Sequence, residues 1–122
     1  PMEVDLKPYL LTDGVYGNRL KTALADQLDY LCPAPIPEDL VDELNWLAAA
    51  VFRVTGALDV ARVDFRLDIN DNLKPYILEI NPLPGLSPGI SDLVIEAAAA
   101  GINHTELVNM ILFTALKRYN MV

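Results

Sequence analysis

The segment 62-RVDFRLDINDNLKPYILEIN-81 decides the fold, because two apolar–polar alternations stand on either side of a short polar connector. In the first alternation, Val63, Phe65 and Leu67 point to one side, and the charged residues between them point to the other. Two strands of this kind joined by a short connector are expected to pair as an antiparallel hairpin.

The second strand of this hairpin also alternates, and it places two sets of side chains on opposite faces: Tyr76, Leu78 and Ile80 on one, and Ile77, Glu79 and Asn81 on the other. If the apolar faces of both strands cover the core, four polar residues are expected on the outer face: Arg62, Asp64, Glu79 and Asn81. A loop with three prolines and two glycines, 82-PLPGLSPGIS-91, follows directly.

The outer face of the hairpin carries ligands that suit a hard cation. Asp64, Glu79 and Asn81 bring five side-chain oxygens together, and Mg²⁺ usually takes one or two carboxylates and completes its shell with waters and phosphates. Arg62 can neutralise developing negative charge, and Gly85 allows a backbone N–H to approach a ligand. The alternative is a solvated strand face on which mixed charges pair across the hairpin.

A second metal motif overlaps the connector of the hairpin. Asp68, Asn70 and Asn72, with Glu79 at the twelfth position, imitate a calcium-binding EF-hand loop. The sixth position, which requires glycine, is Leu73, and the flanks read as strands rather than helices. The polar residues of the connector are therefore interpreted as turn residues.

Helical patterns flank the hairpin. A one-sided apolar stripe over residues 38–55, with acids in its first turn and Gly56 just beyond it, predicts a long helix that packs on the core. A short helix is expected over 92-DLVIEAAAAG-101. A last helix begins at a capping box formed by Asn103 and Glu106.

Together these elements predict an α+β fold in one domain over residues 1–122. Residues 1–36 are a weakly patterned lead-in that reads as a loop or short strands, and residues 37–122 form the core. A chain of 122 residues is long enough to bury such a core.

Composition narrows the classes of function. Apolar residues make up 52% of the chain and charged residues 21%, so a folded domain is expected, and no apolar run reaches the ~18 residues of a membrane span. The start shows no secretory pattern, so a cytoplasmic location is expected. A formal net charge of −8 argues against a nucleic-acid binder, and the single Cys32 excludes an internal disulfide.

The motifs ARVDFRLD (61–68) and YILEINPLPGLSPGISDL (76–93) resemble the C-terminal part of the ATP-grasp domain in the D-alanine–D-alanine ligase family. That family shows R-x-D, a hairpin, then E-x-N and a P-G loop. The match extends over roughly residues 30–119, including CPAP before the long helix and the closing GINHTELVNMIL. It implies an antiparallel sheet with one long packing helix and two C-terminal helices.

The resemblance also implies roles for the residues of the hairpin and the loop. Asp64, Glu79 and Asn81 would hold the Mg²⁺ ions that bridge the phosphates of ATP, with Mn²⁺ as an alternative metal. Arg62 and the backbone of Gly85 would be catalytic, because they would stabilise the tetrahedral intermediate.

Two further residues receive roles by resemblance. Tyr16 and Lys21 are similar to a Y-x-x-x-x-K element of the family, which implies that Lys21 binds a phosphate of ATP; the alternative is a solvated charge. Ser91 resembles the serine that contacts the substrate carboxylate, although it lies one residue further from the P-G pair; the alternative is a helix cap.

The activity implied is that of an ATP-dependent carboxylate–amine ligase of peptidoglycan biosynthesis, acting through an acyl phosphate. Its partners would be ATP, a small amino-acid-like substrate and an N-terminal part of the same enzyme, without which the chain is expected to be inactive and to expose apolar surface that favours homo-oligomers.

Two alternatives stay open. One is a non-catalytic ligase-like interaction or regulatory module. The other is an ATP-grasp ligase for a different acid, because the family usually has a small polar residue after E-x-N where this chain has Pro82 and Leu83.

Overall fold

The structure is a computed structural model, and it describes residues 1–5 and 29–122. The chain divides into two compact units, Pro1–Ile36 and Pro37–Val122. No helix in the described part of the chain has both the length and the apolar character needed to cross a membrane.

The first unit contains a small antiparallel sheet. Strand β1 (Glu3–Asp5) pairs with strand β2 (Asp29–Leu31), and Val4 lies opposite Tyr30. These are short strands, as the sequence of the lead-in allows.

The second unit carries the α+β architecture that the sequence predicts. Its elements follow in the order α1 (Glu38–Val54), β3 (Arg62–Asp68), β4 (Lys74–Asn81), α2 (Asp92–Ala99) and α3 (His104–Arg118). The long helix, the hairpin and the two C-terminal helices all lie where the sequence places them.

Helix α1 buries one narrow stripe. Leu40 and Leu44, one turn apart, are its buried residues, and each contributes about 1.5–3 kcal/mol if fully removed from water. The helix contacts β4. It ends before Gly56, whose φ of 69° lies in the left-handed region that glycine adopts without strain.

Helices α2 and α3 share a second core. Val94 and Ala97 of α2 pack with Leu107 of α3. Helix α3 begins at the capping box that the sequence predicts: the Asn103 side chain accepts from Glu106 N at 3.0 Å, and the Glu106 carboxylate accepts from Asn103 N at 2.9 Å. Two N–H groups of the first turn are thereby satisfied.

Strands β3 and β4 pair antiparallel, but their register shifts between Asp64 and Phe65. Ile77 lies opposite Phe65, which leaves Leu78 as the extra residue of a β-bulge. Residues that face each other across a pair share a sheet face.

Because of the bulge, the faces of β4 differ from the alternation that the sequence predicts. Tyr76 lies opposite Arg66 and so belongs to the polar face of β3, whereas Ile77 joins the apolar face of Phe65. The expectation that Tyr76 shares a face with Ile80 was therefore wrong, because an inserted residue reverses a period of two on one side of the insertion.

The connector of the hairpin is a turn, as the sequence indicates. Asp68 Oδ1 accepts from Asn70 N at 2.9 Å, and both Asn72 and Leu73 have positive φ. Glu79 belongs to a strand rather than to this turn. The chain therefore has no helix–loop–helix arrangement around these residues, and the EF-hand interpretation is rejected.

Candidate functional site

The register of the hairpin gathers the four polar residues of its outer face. Asn81 lies opposite Arg62, and Glu79 lies opposite Asp64. Directly opposed residues have Cβ atoms about 4.5–5.5 Å apart, so these side chains form one cluster. The bulge begins immediately beside the Asp64–Glu79 pair, where it can redirect side chains.

Arg62 lies at the centre of this cluster. Its Nε and Nη2 donate to Oδ1 and Oδ2 of Asp64 at 2.6 and 2.8 Å, a bidentate pair. Its Nη2 also lies 3.8 Å from Glu79 Oε1. Nη1 donates to Oδ2 of Asp92 at 2.9 Å. One guanidinium is thus surrounded by three carboxylates.

The cluster carries a net negative charge, and its side chains differ in their exposure to solvent. Three carboxylates against one guanidinium give a formal charge of −2. The side chains of Arg62 and Asp92 are 16% and 11% exposed, whereas Glu79 is 55% exposed. The carboxylate of Glu79 is therefore the one most open to a ligand from solvent.

The loop 82–91 is organised by hydrogen bonds of its own. Asn81 Oδ1 accepts from Leu83 N at 3.1 Å, which starts the loop as an Asx turn. At its other end, Ser91 Oγ accepts from Ser87 N at 2.9 Å. The ring of His104 makes a 2.8 Å hydrogen bond with the carbonyl of Leu86. Hydrogen bonds thus fix the loop at both ends and in the middle.

Gly85 has a steric reason to be glycine. A Cβ built at this position would lie 2.6 Å from Ser91 Oγ and 3.4 Å from Ser91 Cβ. Real Cβ contacts essentially never reach the shorter distance, so a side chain at position 85 would require the Ser91 hydroxyl to rotate away from its hydrogen bond with Ser87 N.

Ser91 occupies the N-cap position of α2, but its side chain makes no capping hydrogen bond. Its hydroxyl is turned toward the loop, where it accepts from Ser87 N. Ser91 is therefore the N-cap residue by position, but its hydroxyl does not cap the helix. A hydroxyl that accepts one bond can still donate its own proton.

Asp92 is the site residue that sequence reasoning missed. It lies in the first turn of α2, where acids are common in any helix, so the sequence does not mark it as a site residue. Its contact with Arg62 joins residues 30 positions apart. The sequence carries no signal for such a pair beyond the acid's place directly after the loop.

Lys21 and Tyr16 lie outside the described residues. The expectation that Lys21 binds a phosphate stays a prediction.

The donor set of the hairpin fits a hard divalent cation. Asp64, Glu79 and Asn81 offer oxygens only, from two carboxylates and one amide, as Mg²⁺ prefers. The Asp64 and Asn81 oxygens that accept hydrogen bonds each keep a second lone pair. In the described residues, no group of three or more His, Cys, Asp or Glu is arranged to hold a metal, so the amide of Asn81 would be a necessary member of the set.

The hairpin, the loop and the helices define an α+β subdomain of the ATP-grasp type. The family model of the D-ala D-ala ligase C-terminus matches residues 5–113. The chain belongs to this family, and the resemblance seen in its motifs is confirmed.

Curated relatives include an uncharacterized protein and D-alanine–D-alanine ligases. The chain is 43% identical over 88 residues to uncharacterized protein y4sG of Sinorhizobium fredii, covering 72% of this chain and 25% of that protein. It is 39% identical over 100 residues to a D-alanine–D-alanine ligase of Cupriavidus metallidurans, covering 82% and 29%. A D-alanine–D-alanine ligase of Pelotomaculum thermopropionicum is 33% identical over 118 residues, covering 96% and 36%. The chain spans about a quarter to a third of the length of these relatives.

Proposed function

We propose that the chain is the C-terminal part of an ATP-dependent ligase that joins a carboxylate to an amine. The observation that carries the proposal is the position of Arg62 among three carboxylates beside the loop of Gly85, in a chain that belongs to a ligase family. ATP would phosphorylate the first substrate's carboxylate, and the amine would attack the acyl phosphate and release inorganic phosphate.

In this reaction the chain's own residues would bind and stabilise negative charge. Arg62 and the backbone N–H of Gly85 would donate to the oxyanion that forms when the amine attacks. Ser91 would donate a hydrogen bond from its hydroxyl to the substrate carboxylate. Lys21 would contact a phosphate of ATP.

Asp64, Glu79 and Asn81 would hold Mg²⁺, or Mn²⁺ in its place. When bound, the cation would neutralise the negative charge of the phosphates. The formal charge of −2 of the Arg62 cluster favours a divalent cation over a second anion there.

The substrate class proposed is a pair of small amino acids. Two of the relatives named above are D-alanine–D-alanine ligases, and from them we infer a role in peptidoglycan biosynthesis in the cytoplasm. Pro82 and Leu83 follow the E-x-N motif where the family usually has a small polar residue. The identity of the acid substrate is therefore the part of the proposal that most needs a test. Product analysis of the full-length protein with a panel of D- and L-amino acids identifies it.

A Glu79→Ala variant of the full-length protein tests the metal assignment. Removing the most exposed carboxylate of the set should raise the Mg²⁺ concentration needed for half-maximal activity and lower kcat by about 100-fold, because metal charge stabilisation is worth several kcal/mol. Activity is measured as ADP release during a Mg²⁺ titration.

The matched control is Glu43→Ala, which removes an exposed glutamate of α1. It should leave the Mg²⁺ titration unchanged. Wild-type activity in Glu79→Ala would remove the metal assignment, and a full-length protein without ligase activity on any amino acid would favour a non-catalytic module.

A further inference from the structure

One ion pair connects the hairpin to helix α2. Arg62 begins β3, and Asp92 begins α2, yet their side chains meet at 2.9 Å. Both side chains are largely withdrawn from water, at 16% and 11% exposure. A pair with this degree of burial holds a defined geometry more firmly than an exposed one.

Two carboxylates from different elements fix the guanidinium of Arg62. Asp64, on the same strand, holds the edge made by Nε and Nη2. Asp92, on α2, holds Nη1. A planar group held on two sides can neither slide along Asp64 nor turn about its own side-chain axis.

The residues on both sides of the loop lie next to Arg62. Asn81, the residue before the loop, lies opposite Arg62 in the register. Asp92, the residue after it, binds Arg62 directly. The distance between Arg62 and the backbone of Gly85 therefore depends on both anchors.

We propose that Asp92 is a positioning residue for Arg62: it sets the orientation of the guanidinium and its spacing from the N–H of Gly85. The proposal rests on the proposed function, in which these two donors face one oxyanion. Asp92 itself touches neither substrate nor ATP in this role.

Substitution of Asp92 in the full-length protein tests the proposal. Asp92→Ala should lower kcat on the order of 10²-fold, because a displacement of about 1 Å in a catalytic group has that effect. The KM for ATP should stay unchanged, since the nucleotide's ligands are intact. Asp92→Asn keeps an oxygen that accepts from Nη1, and it should recover a large part of the lost kcat.

A second readout does not depend on ligase activity. In full-length protein labelled with ¹⁵N-arginine, the Nη signals of Arg62 should be separate in the wild type, because the two carboxylates stop its rotation. They should exchange with each other faster in Asp92→Ala, where Asp64 still holds one edge of the guanidinium but Nη1 has lost its carboxylate. Arg62→Lys assigns these signals by their loss.

Asp59→Ala is the matched control. Asp59 makes a bidentate pair with Arg118, at 2.6 and 3.1 Å, and is not one of the three carboxylates around Arg62. Its loss should lower Tm without changing kcat per folded molecule or the signals of Arg62.

The outcomes separate the two proposals. Unchanged Arg62 signals in Asp92→Ala overturn the positioning role, and so does a lower Tm with unchanged kcat per folded molecule. If Asp92→Ala does not fold, Asp92→Asn decides; failure of both to fold overturns the proposal in favour of a purely structural pair. A wild-type protein without ligase activity overturns the proposed function, and the Arg62 signals then still show whether Asp92 fixes the guanidinium.

Discussion

A side chain at position 85 would collide with the Ser91 hydroxyl, since an added Cβ would lie 2.6 Å from Ser91 Oγ. Gly85→Ala in the full-length protein should therefore destabilise the fold by about 1 kcal/mol, because the Ser91 hydroxyl must rotate away and lose its hydrogen bond with Ser87 N. The obstacle is Ser91 and not the backbone, because the φ of Gly85 lies outside the left-handed region that only glycine adopts easily. Thermal unfolding of Gly85→Ala against the wild type measures the effect as a lower Tm.

A double-mutant cycle with Ser91→Gly isolates the cause of this effect. Ser91→Gly removes both atoms that the new Cβ would meet, so Gly85→Ala should lower Tm far less in that background. An equal loss of Tm in both backgrounds would show that the destabilisation has another origin than this contact.

Among the elements, helices α1 and α3 were predictable because their signals are local. A stripe of apolar residues at helical spacing and a capping box, Asn103 with Glu106, are read from neighbours in sequence, and both are confirmed. The antiparallel hairpin was predictable for the same reason.

The bulge in β4 and the Arg62–Asp92 pair were not predictable from such local signals. A period of two gives no sign of where one extra residue, Leu78, will be inserted. The pair depends on how a loop folds back over 30 residues, and one acid in a helix's first turn does not indicate its partner. The cluster of Arg62, Asp64, Glu79 and Asn81 could be derived, but its connection to α2 could not.

A second ion pair joins elements that are distant in sequence. Arg118, at the end of α3, donates to Asp59, in the connection between α1 and β3. This hydrogen bond lowers the pKa of Asp59 below its ordinary value of 3.8. A carboxylate with a lowered pKa adds stability above that ordinary value and loses it as the pH falls through the lowered one.

Asp59→Asn should therefore lower Tm at pH 6, and its difference from the wild type should shrink as the pH falls below about 3.8. Tm measured from pH 6 to pH 2.5 follows the change. In an Arg118→Gln background, Asp59→Asn should have little effect at either pH. A difference from wild type that grows toward low pH would contradict the assigned direction.

On the scale of the whole molecule, the described residues bury few apolar side chains and expose many. Within residues 1–5 and 29–122, five hydrophobic residues are buried: Leu40, Leu44, Val94, Ala97 and Leu107. Large apolar side chains remain at the surface, among them Trp46 at 69% exposure and Leu78 at 64%. Since the relatives are about three to four times as long as the segments matched, other parts of such proteins have the length to cover these surfaces.

The 122-residue chain alone should therefore self-associate and bind hydrophobic dyes more strongly per molecule than the full-length protein. Light scattering coupled to size exclusion should give a mass that rises above 13.5 kDa as the chain is concentrated. Emission from Trp46, the only tryptophan of the chain, should shift to shorter wavelengths over the same concentrations if its surface becomes covered. Sulfate should strengthen the association, because it is excluded from protein surfaces and favours apolar burial. A constant mass of 13.5 kDa, with dye binding equal to that of the full-length protein, would show that these surfaces need no cover.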